Sequence, residues 1–157
     1  MIKHKLTYDK KTYTIKTYKE YIDNVLIKTE YYDQQGNLYK IKGMDEINQN
    51  HTYIENYKNG QLHGIRKEWT EDKILFKYTK YKNGNMHGIH KIFYPNSGNI
   101  CREIQYKNNK IYGTFKEWYP NGILREIYIY KNKKIIKRTT YDLLGNVKET
   151  KNYIIYI

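Results

Sequence analysis

The sequence of 157 residues contains one cysteine, two prolines and no long apolar run. Because Cys101 has no second cysteine to pair with, an intrachain disulfide framework is excluded, and we expect a reducing compartment. No stretch approaches the roughly 18 apolar residues of a membrane span, and residues 1–10 lack the apolar core of a signal peptide. We therefore expect a soluble, cytoplasmic protein.

Acidic residues are scarce, since 16 Asp and Glu stand against 29 Lys and Arg, a formal net charge of +13. This excess favours an anionic partner such as nucleic acid, anionic lipid or acidic protein. Lys, Asn, Ile and Tyr have A/T-rich codons, so genomic base composition is an alternative source of the charge. It does not explain 20 Tyr against three Phe, whose codons are equally A/T-rich. A sheet wetted on both faces would select Tyr, because its ring covers apolar surface while its hydroxyl stays hydrated.

One segment, clearest at residues 106–124, recurs along the chain. Copies lie at 81–100 and 57–75, and a more degenerate copy lies at 130–147. Each contains two turn signals, Asn-Gly or a relative, about 12 residues apart, with apolar and polar residues alternating between them. The pattern predicts a β-hairpin in each copy. Asn-Gly suits a two-residue type I′ turn, in which both residues have positive φ.

The turn signals continue at this spacing through most of the chain. Short strands between such turns predict an all-β fold, an elongated single-layer antiparallel β-meander of stacked hairpins with a period of about 24 residues. Neither face of these strands is purely apolar, which argues against a sandwich or closed barrel. The turn centres are Asn24, Gly36, Asn48, Gly60, Asp72, Gly84, Ser97, Asn109, Asn121, Lys133 and Gly145.

We expect a single repeat domain over residues 1–157, with irregular N-terminal repeats or a cap at 1–52, clear repeats at 53–148 and a C-terminal edge strand at 149–157. Residues 13–30 fit strand or helix spacing, and strand is favoured because Asp23-Asn24 keeps the turn phase. Residues 42–50 are predicted to be a loop or one helical turn. The apolar end of the chain predicts an exposed edge strand that could support self-association.

Alternation along the strands places a recurrent set of rings, β-branched residues and lysines on one face. On the other face, a glycine recurs at positions 64, 88 and 113, where we expect a gap that a neighbouring ring fills. The candidate partner-binding residues belong to the first set: Trp69, Phe93, Trp118, His63, His87 and Tyr112.

The same spacing argues against chemistry. His63 and His87 lie two strands apart, roughly 9 to 10 Å, which is too far for both to bind one metal. Cys101 sits in mid-strand and is interpreted as a half-buried filler. Glu68 and Glu117 are too distant to act as an acid–base pair and are expected to meet Lys or Arg across the strands. We predict no catalytic, metal or cofactor site, and therefore no enzyme.

The motif Tyr-x-Asn-Gly-x-Leu-His-Gly, followed by Trp-Tyr-Pro-Asn-Gly-x-Leu, resembles the MORN-repeat variant of YwqK-type proteins, which are antitoxin-like repeat proteins of bacteria and large DNA viruses. The resemblance covers residues 53–148 and, more faintly, 20–38. It implies stacked hairpins without chemistry that serve as protein-binding scaffolds, with phospholipid binding proposed for some relatives. The sequence departs from the motif where Asn109 and Lys133 replace turn glycines and where Tyr112 and Ile136 replace the histidine.

Three functions follow from these features: a non-catalytic scaffold for an unidentified protein partner, peripheral binding to anionic phospholipid membrane, and nucleic-acid binding through basic and aromatic surface. The distribution of charge discriminates between them. Lysines gathered on one face with Tyr and Trp favour lipid or an acidic polymer, whereas charges on both faces favour a compositional origin. The sequence spreads its charges over both faces, so the scaffold is the preferred hypothesis.

Overall fold

The structure, a computed structural model, describes residues 1–44, 51–131 and 133–154. Its strands form one 14-stranded antiparallel sheet and lie side by side in sequence order, apart from the short β6, which pairs with β5 beside β7. The predicted all-β, single-layer meander is confirmed. The strands are β1 Ile2–Tyr8, β2 Ile15–Ile22, β3 Val25–Tyr32, β4 Leu38–Met44, β5 Thr52–Lys58, β6 Gln61–Leu62, β7 Gly64–Trp69, β8 Leu75–Lys82, β9 Asn85–Phe93, β10 Ile100–Lys107, β11 Lys110–Trp118, β12 Leu124–Lys131, β13 Lys134–Tyr141 and β14 Val147–Asn152.

The N-terminal residues form strands, as the turn phase predicts. β2 and β3 are joined at Asp23 and Asn24, whose φ angles of 48° and 67° satisfy a two-residue turn with positive φ at both positions. β1 pairs with β2 and completes the first hairpin. The predicted turn at Asn48 and most of the predicted loop at 42–50 lie outside the described residues.

The turns are of two kinds, one at each end of the strands. At one end lie two-residue turns such as Asn83-Gly84, with φ of 49° and 76°. At the other end the turns are longer, and in one of them the N–H of Tyr119 donates to the carbonyl of Ile123 at 2.8 Å. Asn121-Gly122 belongs to this second kind, with positive φ only at Gly122, because the preceding Pro120 favours the first position of a type I turn. An Asn-Gly pair therefore does not always form the type I′ turn.

The buried positions of the sheet are mostly polar. Among the described residues, Ile104 is the one hydrophobic residue that is buried, with 8% of its surface exposed. A single layer has no second sheet or helix to cover its side chains, so it lacks an apolar centre, and contacts between neighbouring strands hold it together. The other buried residues are polar or charged: Thr29, Glu55, Glu68, Thr79, Glu117, Glu126 and Thr139.

The two outermost strands, β1 and β14, are exposed along their whole length. Of the predicted C-terminal edge strand at 149–157, residues 149–152 belong to β14, which begins at Val147 and ends at Asn152. Tyr153 and Ile154 follow the strand, and residues 155–157 lie outside the described part of the chain. Among the described residues, the exposed edge at this side of the sheet is formed by the polar β14.

The recurrent glycines mark β-bulges. Gly88 and Gly113 have φ of 98° and 77°, and the pairing register shifts beside both of them. A Cβ on Gly113 would lie 2.2 Å from Oε1 of Gln105, and one on Gly88 would lie 3.1 Å from Cδ of Lys80. The expectation of a ring at these glycines is wrong, because the bulge turns each glycine toward a polar side chain of the preceding strand.

Candidate binding site on one face of the sheet

The pairing register assigns side chains to two faces, because residues directly opposite each other point the same way. We name each face after a continuous row of such partners. The glutamate-face row is His4, Glu20, Lys28, Gly43, Tyr53, Glu68, Lys77, Ile92, Arg102, Glu117, Glu126, Thr140 and Glu149. The lysine-face row is Lys5, Lys19, Thr29, Lys42, Ile54, Lys67, Tyr78, Lys91, Glu103, Lys116, Ile127, Thr139 and Thr150.

On the glutamate face, buried carboxylates meet cations of adjacent strands. Glu68 lies 3.0 Å from Nζ of Lys77, its direct cross-strand partner. Glu117 lies 2.5 Å from Nε of Arg102, also directly opposite, and pairs with Arg125 through its second oxygen. The prediction that these two glutamates meet Lys or Arg across the strands is confirmed.

Every arginine of the sequence takes part in these pairs. Arg66 lies 2.7 Å from Glu55 and 3.0 Å from Glu68, and Arg138 pairs with Glu126. A planar guanidinium suits a carboxylate better than the point charge of an ammonium does. The glutamate face therefore neutralises its buried charges internally.

Tyrosine and histidine complete this polar network. The Tyr32 hydroxyl donates to Glu30 at 2.6 Å, and burial together with that carboxylate raises the pKa of Tyr32 to about 12. Thr79 Oγ1 lies 2.8 Å from Nδ1 of His90. Burial and the nearby Lys77 lower the pKa of His90. The hydrogen bonds of Tyr32 and His90 thus join side chains of the sheet to one another.

The lysine face has a different charge balance. In its row, lysine recurs on every second strand from Lys19 to Lys116, about 9.6 Å apart. Lys91 and Lys116 share Glu103 at 3.2 and 3.9 Å. Within the described part of the chain, Lys19 and Lys67 have no carboxylate at ion-pair distance. Cations thus lie on both faces, as the sequence indicates, but Lys28, Lys77 and Arg102 in the glutamate-face row are paired, whereas, among the described residues, Lys19 and Lys67 in the lysine-face row are not.

A groove of about 610 Å³ begins at one end of the row. It is lined by Thr29 and Ile54, which stand in the row on either side of Lys42. Nζ of Lys42 lies 5.8 Å from the ring centroid of Tyr31. The groove thus combines apolar surface with four lysines, Lys19, Lys28, Lys42 and Lys73, and one carboxylate, Glu71. The lining residues that belong to the lysine face include Lys19, Thr29, Tyr31, Lys42, Ile54 and Trp69.

The aromatic candidates lie on the same face. Trp69, Phe93 and Trp118 end β7, β9 and β11, two strands apart from one another, and each is half-buried. Apolar residues stand directly opposite them, since Trp69 pairs with Leu75 and Trp118 with Leu124. These three rings form a row beside the longer turns, and Trp69 also lines the groove.

The remaining candidates lie near the end of the strands that carries the two-residue turns. His63 Nδ1 is 3.1 Å from Oδ1 of Asn83, and His87 Nδ1 is 3.1 Å from Oδ1 of Asn108. Each histidine thus contacts the two-residue turn of the next hairpin. Tyr112 is 60% exposed, with Nζ of Lys107 5.5 Å from its ring centroid. The structure therefore separates the six candidates into two groups rather than bringing them into one site.

At the end of the strands with the longer turns, tyrosine hydroxyls form hydrogen bonds that the sequence analysis did not predict. The Tyr94 hydroxyl donates to the carbonyl of Trp118 at 2.7 Å, and the Tyr119 hydroxyl donates to the carbonyl of Tyr141 at 3.0 Å. Each bond joins one repeat to the next. The signal was present in the recurrent tyrosine that precedes proline in each of these copies.

A metal-binding cluster is absent from residues 1–44, 51–131 and 133–154. No group of three or more His, Cys, Asp or Glu in those ranges is placed to hold a metal ion. Cys101 is half-buried in β10. In the same ranges, no helix has the length and apolar character needed to cross a membrane.

The comparisons with known proteins agree with this geometry. Residues 86–108 and 111–132 each match the family model described as MORN repeat variant. The two matches are adjacent repeats and correspond to β9–β10 and β11–β12. MORN repeats are generally non-catalytic and associated with protein and membrane interactions. No curated protein matches the chain.

Proposed function

We propose that this protein is a non-catalytic scaffold that binds a protein partner on its lysine face. One observation carries the proposal: the glutamate face pairs its buried charges internally, whereas the lysine face leaves cations beside a row of aromatic rings and a groove. Half-buried aromatics next to apolar neighbours are typical anchors of protein interfaces. The two matching repeats support the scaffold role.

Several finer expectations remain predictions. These are the YwqK-type, antitoxin-like assignment, the intracellular location and self-association through the terminal edge strands. The terminal strands β1 and β14 are exposed, which is compatible with pairing between chains.

Peripheral binding to anionic membrane is the second candidate function, because the lysine row could contact anionic headgroups. The scaffold is preferred, since Trp69 and Trp118 are half-buried, whereas membrane-anchoring rings must extend beyond the protein surface. Nucleic-acid binding is less favoured, because every arginine is paired on the glutamate face, away from the lysine row.

The scaffold can be tested with two aromatic residues of one strand. Trp118 lies on the lysine face of β11, and Phe115 lies on its glutamate face, 5.3 Å from the ring of Tyr128. Each is changed to Ala, and circular dichroism and thermal melting verify folding. The tagged proteins are then used to capture partners from native cells, with a high-salt wash.

We expect Trp118→Ala to weaken partner capture by more than ~1 kcal/mol, while Phe115→Ala retains it, because only Trp118 faces the partner. Mass spectrometry measures which captured proteins are lost. Equal losses from both variants, or undiminished capture by a folded Trp118→Ala protein, would contradict binding on the lysine face.

A further inference from the structure

We infer that the lysine row binds an extended, acidic protein segment that runs across the strands. The inference rests on the proposed function and specifies the chemistry of its partner. The residues that carry it are Lys19, Lys42 and Lys67, which lie in one cross-strand row on β2, β4 and β7.

Spacing is the first argument. Successive lysines of the row are two strands apart, about 9.6 Å. A polyproline II segment advances about 9.3 Å in each three-residue turn, so side chains three residues apart point the same way at that interval. An acidic residue at every third position of such a segment would meet one lysine after another without changing its backbone conformation.

Charge is the second argument. The region that contains Lys19 and Lys67 lacks ion-pair partners for them among the described residues, whereas Lys91 and Lys116 already share Glu103. An incoming carboxylate would therefore gain most at the groove end of the row. Carboxylates are the appropriate ligands for isolated ammonium groups, while the guanidinium groups suited to bidentate phosphate recognition all lie on the glutamate face.

The groove supplies the third argument. Thr29 and Ile54 stand between consecutive lysines of the row, and Trp69 borders the same groove. In a polyproline II segment whose acidic residues point to the lysines, the intervening side chains point to either side of the row, where Tyr31 and Trp69 offer apolar surface in the groove. Together, charge and apolar surface favour a protein segment over a polymer that offers phosphates alone.

The test uses a fluorescent peptide with the repeat Glu-Pro-Leu, which favours the polyproline II conformation and places a carboxylate at every third residue. A control peptide has the same composition with its glutamates grouped at one end. Fluorescence anisotropy measures binding to the full chain at low and physiological salt. Two further probes are a single-stranded oligonucleotide and vesicles containing phosphatidylserine.

Two triple variants separate the row from overall charge. Lys19, Lys42 and Lys67 are replaced by Gln in the first, and the exposed Lys82, Lys110 and Lys134, which lie beside two-residue turns, are replaced in the second. Both lose three positive charges. Circular dichroism and thermal melting verify the folding of each.

We expect the first variant to bind the repeat peptide about tenfold more weakly, the second variant to differ from wild type by less than about threefold, and the control peptide to bind more weakly than the repeat peptide. Equal losses from the two variants, or equal binding of the two peptides, would overturn the inference. Tighter, row-dependent binding of the oligonucleotide or the vesicles would also overturn it and assign the row to phosphate groups.

Failure of this inference differs from failure of the scaffold. If the repeat peptide does not bind while cellular capture still depends on Trp118, the scaffold stands and the acidic segment is rejected. If cellular capture is independent of Trp118, the scaffold on the lysine face is rejected, whatever the peptide does.

Discussion

The two faces of this sheet are built from alternate residues of the same strands, yet they use charge in opposite ways. On β11, Glu117 is buried between two arginines, while its neighbour Lys116 points to the other face and shares Glu103 with Lys91. A single layer has no apolar core, so paired charges and their hydrocarbon stems provide much of the packing on the glutamate face. We infer that one face mainly maintains the fold and the other is available for binding.

Two glutamates of adjacent strands test this division most directly. We expect Glu117→Ala to lower the free energy of unfolding by about 2 kcal/mol, because it leaves Arg102 and Arg125 without their carboxylate. This loss of stability is smaller than is usual for breaking a buried pair because the side chains of Arg102 and Arg125 are 48% and 47% exposed. Glu103→Ala on the lysine face should cost only about 0.5 kcal/mol. Urea denaturation measures both, and equal losses would contradict the division.

The separation of the faces also depends on the turns, which fix the pairing register of adjacent strands. Gly84 has φ of 76° with no atom within 4 Å of a built Cβ, so a substitution meets backbone strain rather than a steric clash. We expect Gly84→Val to lower the free energy of unfolding by about 1 to 2 kcal/mol, because a β-branched residue resists positive φ. An unchanged denaturation midpoint would show that this turn adopts another conformation.

Turn residues other than glycine sharpen this point. Lys133 has φ of 66°, and Lys133→Gly should stabilise the protein by about 0.5 kcal/mol because it relieves that strain. Asn109 has a similar φ of 62°, but its amide donates to Asn85 at 2.6 Å and its Oδ1 accepts from the N–H of Met86 at 2.7 Å. Asn109→Gly should therefore destabilise by about 0.5 to 1 kcal/mol. Thermal melting distinguishes these opposite signs.

The smallest expected effect concerns pH and the glutamate face. Because burial lowers the pKa of His90 below its usual 6.5, the unfolded chain takes up this proton first as the pH falls. The contribution of neutral His90 to stability is present above pH 6.5 and is lost as the pH falls from there through the lowered pKa. We expect His90→Gln to reduce the slope of stability against pH in that window. Denaturation midpoints measured across it would contradict this expectation if the slopes were identical.

Local chemistry made the strands and their order predictable from the sequence. Asn-Gly and related pairs recur at a constant spacing, and side chains in the strands between them point to alternate faces. The meander, and the meeting of Glu68 and Glu117 with cations of neighbouring strands, therefore followed from local rules. Residues 15–22 and 25–32 form strands for the same reason, despite a competing helical spacing.

Only the tertiary structure decided which side chains lie in one row. Alignment across several strands depends on the sum of all intervening turn lengths and bulges, and a one-residue shift moves side chains to the other face. Shifts occur beside Gly88 and Gly113, and another separates Glu68 from Trp69 in the pairing of β7 with β8. The sequence therefore determined the strands and their order. The register determined the groove and the alignment of Lys19 with Lys67, because it accumulates over distances that no local motif covers.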